Sequence, residues 1–563
     1  MISARMNTVR KIFVRKTSVK MTVMKIAKHI SYGAVLLALV LGIGTASRAQ
    51  DVTYNDILHA NEHPDDWLTY GGNYASQRFS ELKQVNTENV ANLKMQWVYQ
   101  LRRQGIFESS PIVAGGMMYV TEPPTTVTAL DVRTGKPIWR WTADLPKDLL
   151  TIGLFPTNRG VAILGDTVYV ATIDAHLVAL DAKTGAVKWN VEVGSNKDAV
   201  AITQAPLAIN GKIVLGMGGG EGGLRGYIDA YDAKDGKRLW RLYTIPTDGE
   251  AGVETWAGDS YKYGGATTWN TGAYDPETNT LFWGTGNPAP DWNGDARKGD
   301  NLYSCSLLAI DADTGKMKWY FQFSPHETHD WDASEPPILF DATIDGKKRK
   351  VVAQADRNAF YYVLDRETGQ FLAGKAYAKE TWAKGLDSKG RPIELPNIDP
   401  TTQGNLIYPS ITGSVNWTSS SYSPLTGLFY VNTRELGAYY FKGHPEMDPH
   451  NPRDIGGGGG QKLVGGDNAY SAVRALDANN GDLKWQFKMV GDSWTGTLAT
   501  AGNLVFCADA EGNFFALDAT TGKPLWNVQL GNSVRANPIT YSVDGKQYVE
   551  AAGGNSIFVF SLP

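Results

Sequence analysis

The feature of this 563-residue chain that most limits its fold is a short internal repeat. Each copy reads as the end of a strand, a turn of the type Asp-x-x-Thr-Gly (with Asp or Asn in place of Thr in two copies) and the start of another strand, with glycine at the turn position that needs a positive φ. Seven copies occur. They are "ALDVRTGKPIW" (Ala129 to Trp139), "ALDAKTGAVKW" (Ala179 to Trp189), "AYDAKDGKRLW" (Ala230 to Trp240), "AIDADTGKMKW" (Ala309 to Trp319), "VLDRETGQFLA" (Val363 to Ala373, without the tryptophan), "ALDANNGDLKW" (Ala475 to Trp485) and "ALDATTGKPLW" (Ala516 to Trp526).

Repeats spaced by about 40 to 50 residues, with strands throughout, predict an all-β fold of the β-propeller class. The indole that closes a copy is large enough to fill the wedge between neighbouring sheets. Seven copies, plus a blade shared between "LKMQWVYQL" near Met95 and the C-terminal strands, predict eight blades in one domain over residues 50–563. The wide gaps at 241–308 and 374–474 predict insertions, where function is usually carried. The Gly-rich segment 454–468 is predicted to be a mobile loop.

The first 49 residues differ from the rest of the chain. They carry nine Lys or Arg and no Asp or Glu, followed by the apolar run "YGAVLLALVLGIG" and the small residues Ser47 and Ala49. This order is typical of a secretory signal peptide cut near Ala49, although an uncleaved membrane anchor stays open as an alternative. The prediction is therefore export to the periplasm.

Charge and cysteine content exclude some classes of function. Removal of those nine positive charges takes the net charge from −4 to −13, which argues against nucleic acid as a partner. Cys305 and Cys507 lie in runs that read as buried strands, so unpaired thiols are expected rather than a disulfide. No Cys-x-x-Cys-His motif for a covalently attached haem occurs.

The stretch "HETHDWDASEPPILFD", from His326 to Asp341, places four acidic residues and two histidines within ten positions beside a tryptophan. It is either a solvated loop or a segment that holds a metal and a catalytic base. Propellers also divide into binding scaffolds and proteins that hold a cofactor on the central axis. Charged residues aimed at the axis would favour the second class.

From "WLTYGGNYASQRFSELKQVNTENV" at Trp67 almost to the C-terminus, the chain resembles the quinoprotein alcohol dehydrogenases of the methanol and ethanol type. The resemblance implies pyrroloquinoline quinone (PQQ) as cofactor and oxidation of an alcohol to an aldehyde or ketone. It also implies electron transfer to a separate cytochrome c or similar carrier. A sugar or polyol dehydrogenase and a non-catalytic scaffold remain as alternatives, and the sequence does not indicate an oligomeric state.

The same resemblance implies a cation site. Glu221 in "GMGGGEGG" and Asn287 in "GTGNPAPDWN" match ligands of the family's active-site cation, and Asp330 matches its general base. Asp332, two residues later, matches an additional ligand of lanthanide-using members. These are hard oxygen donors that suit calcium or a lanthanide, and calcium is the first expectation. His326 and His329 are read as loop or hydrogen-bonding residues.

The remaining matches are to the cofactor. Arg357 corresponds to the arginine beside the reactive quinone oxygens, and Trp269 to the residue beneath the ring. Gly219 and Gly220 would allow close approach of the backbone. The other expected contacts are Glu108, Arg159, Thr203, Thr267, Asn416, Trp417 and Trp494.

One departure from the family concerns the roof of the pocket. Many members have two adjacent cysteines shortly before the Asn-Arg-Gly motif, whereas this chain has Gly153 and Leu154. A softer roof built from Leu154 and Phe155 is expected to admit alcohols bulkier than methanol.

Overall fold

The computed structural model describes residues 51–150, 155–444, 459–464 and 469–563. The predicted signal peptide and the Gly153–Leu154 pair lie outside these residues. Within them, no helix has the length and apolarity needed to cross a membrane. The helices are one α-helix, Tyr54–Leu58, and the 3₁₀ turns Ala60–Glu62, Val90–Asn92, Asn196–Asp198, Gly220–Gly222, Val253–Thr255, Ser260–Tyr263 and Gly294–Arg297.

Eight antiparallel sheets, here called blades 1 to 8, follow one another along the chain and confirm the predicted propeller. Strands are given from the innermost outward. Blade 1 is Ile112–Ala114, Met117–Glu122, Thr126–Asp131 and Pro137–Thr142; blade 2 is Ala162–Leu164, Thr167–Ala171, His176–Asp181 and Val187–Glu192; blade 3 is Leu207–Ile209, Lys212–Gly216, Tyr227–Asp232 and Arg238–Tyr243; blade 4 is Ala273–Asp275, Thr280–Gly284, Ser306–Asp311 and Met317–Gln322.

The second half of the ring continues the same order. Blade 5 is Ile338–Ile344, Lys347–Ala355, Phe360–Asp365 and Phe371–Ala376; blade 6 is Ser421–Ser423, Leu428–Glu435, Tyr470–Asp477 and Leu483–Val490; blade 7 is Leu498–Thr500, Leu504–Ala508, Asn513–Asp518 and Pro524–Gln529; blade 8 is Ile539–Val543, Lys546–Gly553, Ser556–Ser561 and Lys94–Gln100.

Blade 8 joins the two ends of the described chain. Its outermost strand, Lys94–Gln100, pairs antiparallel with Ser556–Ser561, which confirms the predicted shared blade. A short strand, Phe79–Ser80, also pairs in parallel with the innermost strand of blade 7. The ring is therefore closed by N-terminal segments that hydrogen-bond to C-terminal blades.

The tryptophan of one blade packs on the glycine turn of the next. A Cβ atom added to Gly185 (φ +73°) of blade 2 would lie 2.5 Å from the ring of Trp139 of blade 1. The indole N–H of Trp139 donates to the Ala182 carbonyl at 2.9 Å. A side chain at this glycine would clash with the indole. The other such pairs are Trp97 with Gly135, Trp189 with Gly236, Trp240 with Gly315, Trp319 with Gly369 and Trp485 with Gly522.

In blade 5, whose repeat lacks the tryptophan, a tyrosine does this packing. A Cβ atom at Gly481 of blade 6 would lie 2.9 Å from the ring of the fully buried Tyr361. The Tyr361 hydroxyl donates to the Ala478 carbonyl at 2.8 Å. The contact is kept by a different aromatic residue from a different strand of the blade.

The predicted insertion at 374–474 contains two small sheets. One is the pair Ala383–Leu386 and Pro392–Glu394; the other is Asn405–Ile407, Gly437–Phe441 and Gly460–Val464. The prediction of a mobile loop over 454–468 is wrong for Gly460–Val464, because this segment pairs with Gly437–Phe441 as a strand. The rest of that loop lies outside the described residues. Cys305 and Cys507 are buried and unpaired, as expected.

The strands alternate in direction, so each blade has two different ends. The segments that lead into the innermost strands, and the connections between the second and third strands, share one end, here called the site end. The Asp-x-x-Thr-Gly turns between the third and fourth strands lie at the other, here called the turn end.

Candidate active site on the propeller axis

A cavity of about 450 Å³ opens at the site end and is lined by residues from all eight blades, so it lies on the propeller axis. Its lining follows the strand register. In six blades one lining residue stands four positions before the first residue of the innermost strand. These residues are Glu108, Thr203, Trp269, Trp417, Trp494 and Arg535.

The structure brings nearly all the residues predicted for the site into this one cavity. Only Gly220 and Asn287 are not on its surface. Gly220 lies directly behind the lining residue Thr267, since a Cβ atom there would be 3.1 Å from the Thr267 methyl group. The predicted residues on the surface are Glu108, Arg159, Thr203, Gly219, Glu221, Thr267, Trp269, Asp330, Asp332, Arg357, Asn416, Trp417 and Trp494.

One side of the cavity is organised around Arg159. Its guanidinium pairs with Glu108 at 2.9 Å and donates to the Thr203 hydroxyl at 2.6 Å. It also lies between two indoles, 5.0 Å from the ring centroid of Trp269 and 4.8 Å from that of Trp417. The Nε–H of Arg159 is buried and has no acceptor within the described structure. This side therefore keeps a hydrogen-bond donor and a cationic group ready for an anion.

The opposite side is organised around the buried carboxylate of Asp332. It accepts the backbone N–H of Asn287 at 2.5 Å and the indole N–H of Trp269 at 3.0 Å. Arg357 pairs with the same carboxylate at 2.9 Å. A carboxylate has about four acceptor positions, so these three donors leave Asp332 little capacity for a further partner.

Asp330 occupies a tight turn held from behind by Glu327. Asp330 has φ +66°, a left-handed conformation that is costly for a residue with a Cβ. The buried Glu327 carboxylate accepts the N–H groups of His329 at 2.5 Å and Asp330 at 3.0 Å. Arg357 donates to the Asp330 carbonyl at 2.8 Å. These bonds stabilise the turn and aim the Asp330 side chain at the cavity.

The histidines of this segment face away from the cavity. A ring nitrogen of His326 lies 2.9 Å from the Gly299 carbonyl, and one of His329 lies 3.0 Å from the Ile398 carbonyl. The imidazole of His329 also stacks on Trp331 at 4.4 Å. This agrees with the expectation that both are loop and hydrogen-bonding residues.

The acidic side chains at this wall disfavour one another's charge. Desolvation, and next the Asp332 carboxylate, raises the pKa of Asp330 well above its ordinary value. Desolvation, with a smaller contribution from Asp332, raises the pKa of Glu221 to about 7. Asp291 behind them also has a raised pKa, caused first by desolvation and then by Glu221. A cation among these groups would lower these pKa values.

Glu221 and Asn287 reach this wall from tightly constrained backbone. Glu221 follows Gly219, whose φ is +97° and where a Cβ atom would lie 2.1 Å from the Ala199 carbonyl oxygen, so only glycine fits. The side-chain amide nitrogen of Asn287 donates to Asp291 at 2.8 Å. The amide oxygen of Asn287 can therefore accept or coordinate another partner. Among the described residues, no three carboxylate, imidazole or thiolate groups are gathered closely enough to enclose a metal on their own.

Sequence reasoning missed several lining residues. Ile411 and Leu463 were not predicted, and with the predicted roof residue Phe155, which is 62% exposed, they give the cavity mouth an apolar rim. Arg535 and Asp492, which the sequence also did not indicate, line the cavity as well. The position four residues before an innermost strand would have indicated Arg535, but that signal needs strand boundaries that the sequence does not mark.

Comparison with known proteins agrees with this architecture. Residues 67–381 and 491–549 match the family model described as "PQQ: Glucose/ethanol/alcohol dehydrogenase, beta-propeller domain". The chain belongs to this PQQ-dependent dehydrogenase family. Because the members of this family are dehydrogenases, the match disfavours the alternative of a non-catalytic scaffold.

Two curated relatives illustrate the breadth of the family. The quinohemoprotein alcohol dehydrogenase ADH-IIG of Pseudomonas putida is 40% identical, over 92% of this chain and 77% of that protein. The lanthanide-dependent methanol dehydrogenase of Methylacidiphilum fumariolicum is 35% identical, over 93% of this chain and 90% of that protein.

Solved structures give the same result. A crystallised quinohemoprotein alcohol dehydrogenase of Comamonas testosteroni superposes with a TM-score of 0.85 and 33% identity, covering 90% of this chain and 82% of that one. A europium-containing methanol dehydrogenase superposes with a TM-score of 0.84 and 31% identity, covering 90% and 100%.

Proposed function

We propose that this protein is a periplasmic, PQQ-dependent alcohol dehydrogenase in which Asp330 is the general base. Electrons would pass from the reduced cofactor to a cytochrome c or a similar carrier. The observation that carries the proposal is the axial cavity, where a wall of carboxylates faces a wall built on Arg159 across Trp269. PQQ is a planar anion, and this arrangement suits an aromatic anion with a cation at one edge.

The unpaired groups of the cavity fit that ligand. The buried Nε–H of Arg159 has no acceptor among the described residues, whereas the Nε of Arg357 faces the Glu335 carboxylate at 3.7 Å. Buried donors without partners are costly, and carboxylate or carbonyl oxygens of a ligand would satisfy them. In this assignment Arg159, Glu108, Thr203 and Thr267 hold one edge of the cofactor, Gly219 and Gly220 allow close approach, and Trp269 is its floor. Asn416, Trp417 and Trp494 complete the border.

The cation would be held by Glu221, Asn287, Asp330 and Asp332, with further oxygens from the cofactor. All are hard donors, which favours calcium or a lanthanide over zinc or copper. Since three protein donors already engage Asp332, we assign it a supporting share of the coordination. Calcium is therefore the first choice, and a lanthanide is the alternative.

Bound in this cavity, PQQ would supply the acceptor for the substrate hydride, and the cation would polarise the quinone carbonyl. Asp330 takes the hydroxyl proton of the alcohol at its carboxylate, a role that requires its pKa to fall from the raised value it has without a cation. Arg357 holds the Asp330 carbonyl and the Asp332 carboxylate and presents its positive charge to the reacting oxygens. Ile411, Leu463 and Phe155 at the mouth would admit alcohols larger than methanol.

Reconstitution tests the proposal. Full-length protein made without PQQ is titrated with PQQ in calcium or lanthanum, and PQQ binding is followed by quenching of tryptophan fluorescence. Alcohols of increasing chain length, sugars and polyols are then compared with a dye acceptor. We expect saturable PQQ binding and cation-dependent alcohol oxidation. Absence of PQQ binding with either cation would overturn the proposal, and a preference for sugars would replace the substrate class.

A further inference from the structure

Arg535 occupies a register position whose counterparts in five other blades are already assigned to the site. The residues four positions before the innermost strands of blades 1, 3, 4, 6 and 7 all belong to the proposed cofactor site, and Arg159 serves blade 2 from three positions before. In blade 8 the same position, four residues before the first strand residue Ile539, is occupied by Arg535. Because the blades repeat around the axis, Arg535 lines the same cavity as these residues and is placed to reach the same ligand.

The contacts of Arg535 leave its charge largely unneutralised. Its guanidinium lies 4.9 Å from the ring centroid of Trp494, and its Nη2 lies 3.9 Å from Glu108. Glu108 is already paired at 2.9 Å with Arg159, so one carboxylate faces two guanidinium groups. The buried Nε–H of Arg535 has no acceptor in the described structure.

The neighbouring arginine on the same indole differs in this respect. The buried guanidinium of Arg434 lies 3.9 Å from the Trp494 ring centroid. It pairs with Asp492 at 2.9 Å. Asp492 in turn accepts the Trp494 indole N–H at 2.9 Å. Arg434 therefore serves to hold Trp494, whereas Arg535 keeps a positive charge at the cavity surface.

We propose that Arg535 binds a carboxylate of PQQ, as a second guanidinium beside Arg159. The inference rests on the proposed function, because it needs PQQ in the axial cavity. Charge-assisted hydrogen bonds to a carboxylate are about twice as strong as neutral ones. The guanidinium lies beside Trp494 and is only partly neutralised by Glu108, so it can pair with a ligand carboxylate.

The test is the equilibrium affinity of full-length apo-protein for PQQ at fixed calcium, read from tryptophan fluorescence. Arg535→Gln should raise the Kd about 10- to 100-fold, as expected for loss of a charged hydrogen bond. Arg535→Lys, which keeps the charge, should recover part of the affinity. The matched control is Arg133→Gln, an arginine at the turn end that also bridges blades 8 and 1, paired with Asp544 and exposed to a similar degree (33% against 30%). It should leave the Kd unchanged.

The outcomes separate this inference from the proposed function. If the wild type binds PQQ and Arg159→Gln weakens binding while Arg535→Gln binds within twofold of wild type, Arg535 is not a cofactor residue. If the Arg535 and Arg133 variants lose affinity equally, the effect is one of general charge and the inference is also overturned. If the wild type does not bind PQQ, the proposed function itself has failed.

Discussion

The two ends of the propeller use the same strands for opposite purposes. At the turn end one solution recurs from blade to blade, a glycine turn packed under an aromatic ring of the preceding blade. At the site end the equivalent positions do not share one residue type: blades 4, 6 and 7 have tryptophan, whereas blades 1, 3 and 8 have Glu108, Thr203 and Arg535. Packing of identical wedges favours repetition, whereas binding one asymmetric ligand on the axis requires the blades to differ. Self-similarity in the sequence therefore reports the fold, and its breakdown reports the site.

The largest expected effect lies at the site end. Asp330→Asn keeps the size of the side chain but cannot accept the alcohol proton, so turnover should fall by about 100- to 10,000-fold. The measurement is the steady-state rate with a dye acceptor, together with PQQ affinity, which should change little. The same substitution at the turn end, Asp181→Asn, should leave the rate near that of wild type. Near-normal turnover in Asp330→Asn would remove it as the base.

The turn end should respond in stability instead. Trp139→Ala removes a buried indole and leaves a cavity against Gly185, so the free energy of unfolding should fall by about 3–5 kcal/mol. Chemical denaturation measures this change, and the PQQ affinity of the folded variant should stay unchanged. The neighbouring Ile138→Ala, whose side chain is 50% exposed, is the control and should have a small effect. A loss of PQQ affinity in Trp139→Ala would contradict the idea that the turn end determines stability and the site end determines binding.

A third prediction concerns the cation. Asp332→Ala removes one carboxylate from the proposed ligands and one partner each from Trp269 and Arg357. Lanthanum-supported activity should be abolished, because a trivalent ion depends more on each negative ligand. Calcium-supported activity should persist at about a tenth to a hundredth of wild type, the usual cost of disturbing groups around a metal site. Undiminished activity with lanthanum would exclude Asp332 as a ligand.

The smallest expected effect tests how the base is held. Glu327→Gln keeps one carbonyl oxygen for the N–H groups of His329 and Asp330 but replaces the other acceptor by a donor. The turn at Asp330 should loosen, and kcat should fall by about tenfold, a loss of one hydrogen bond. KM and PQQ affinity should stay constant, which distinguishes a positioning role from general damage. A changed PQQ affinity with normal kcat would contradict this role.

The sequence was informative where a residue type has one physical use. Glycine at a positive-φ turn, a closing tryptophan and the Met95 segment predicted the blades and the shared blade, all of which the structure has. Family motifs named residues that nearly all meet in one cavity, although their roles stay predictions.

Other features depended on three-dimensional context. Tyr361 replaces the missing tryptophan from another strand, so no local pattern indicates it. Gly460–Val464 reads as flexible because it is rich in small and polar neighbours, yet it is a strand because Gly437–Phe441 offers an edge to pair with. The sequence around Arg535 carries no motif, and only the register shared by six blades indicates that it lines the cavity.

Closure of the ring by Lys94–Gln100 has a consequence for the order of folding. This strand leaves the ribosome early, but its partner, Ser556–Ser561, follows more than 450 residues later. Blades 1 to 7 can form in succession during synthesis, while blade 8 must wait for nearly the whole chain. The entropy of closing so long a loop grows only slowly with its length, so the delay is mainly one of timing. Until then the unpaired edges at the gap are open to pairing with other molecules, which makes the last step of assembly the one most exposed to aggregation.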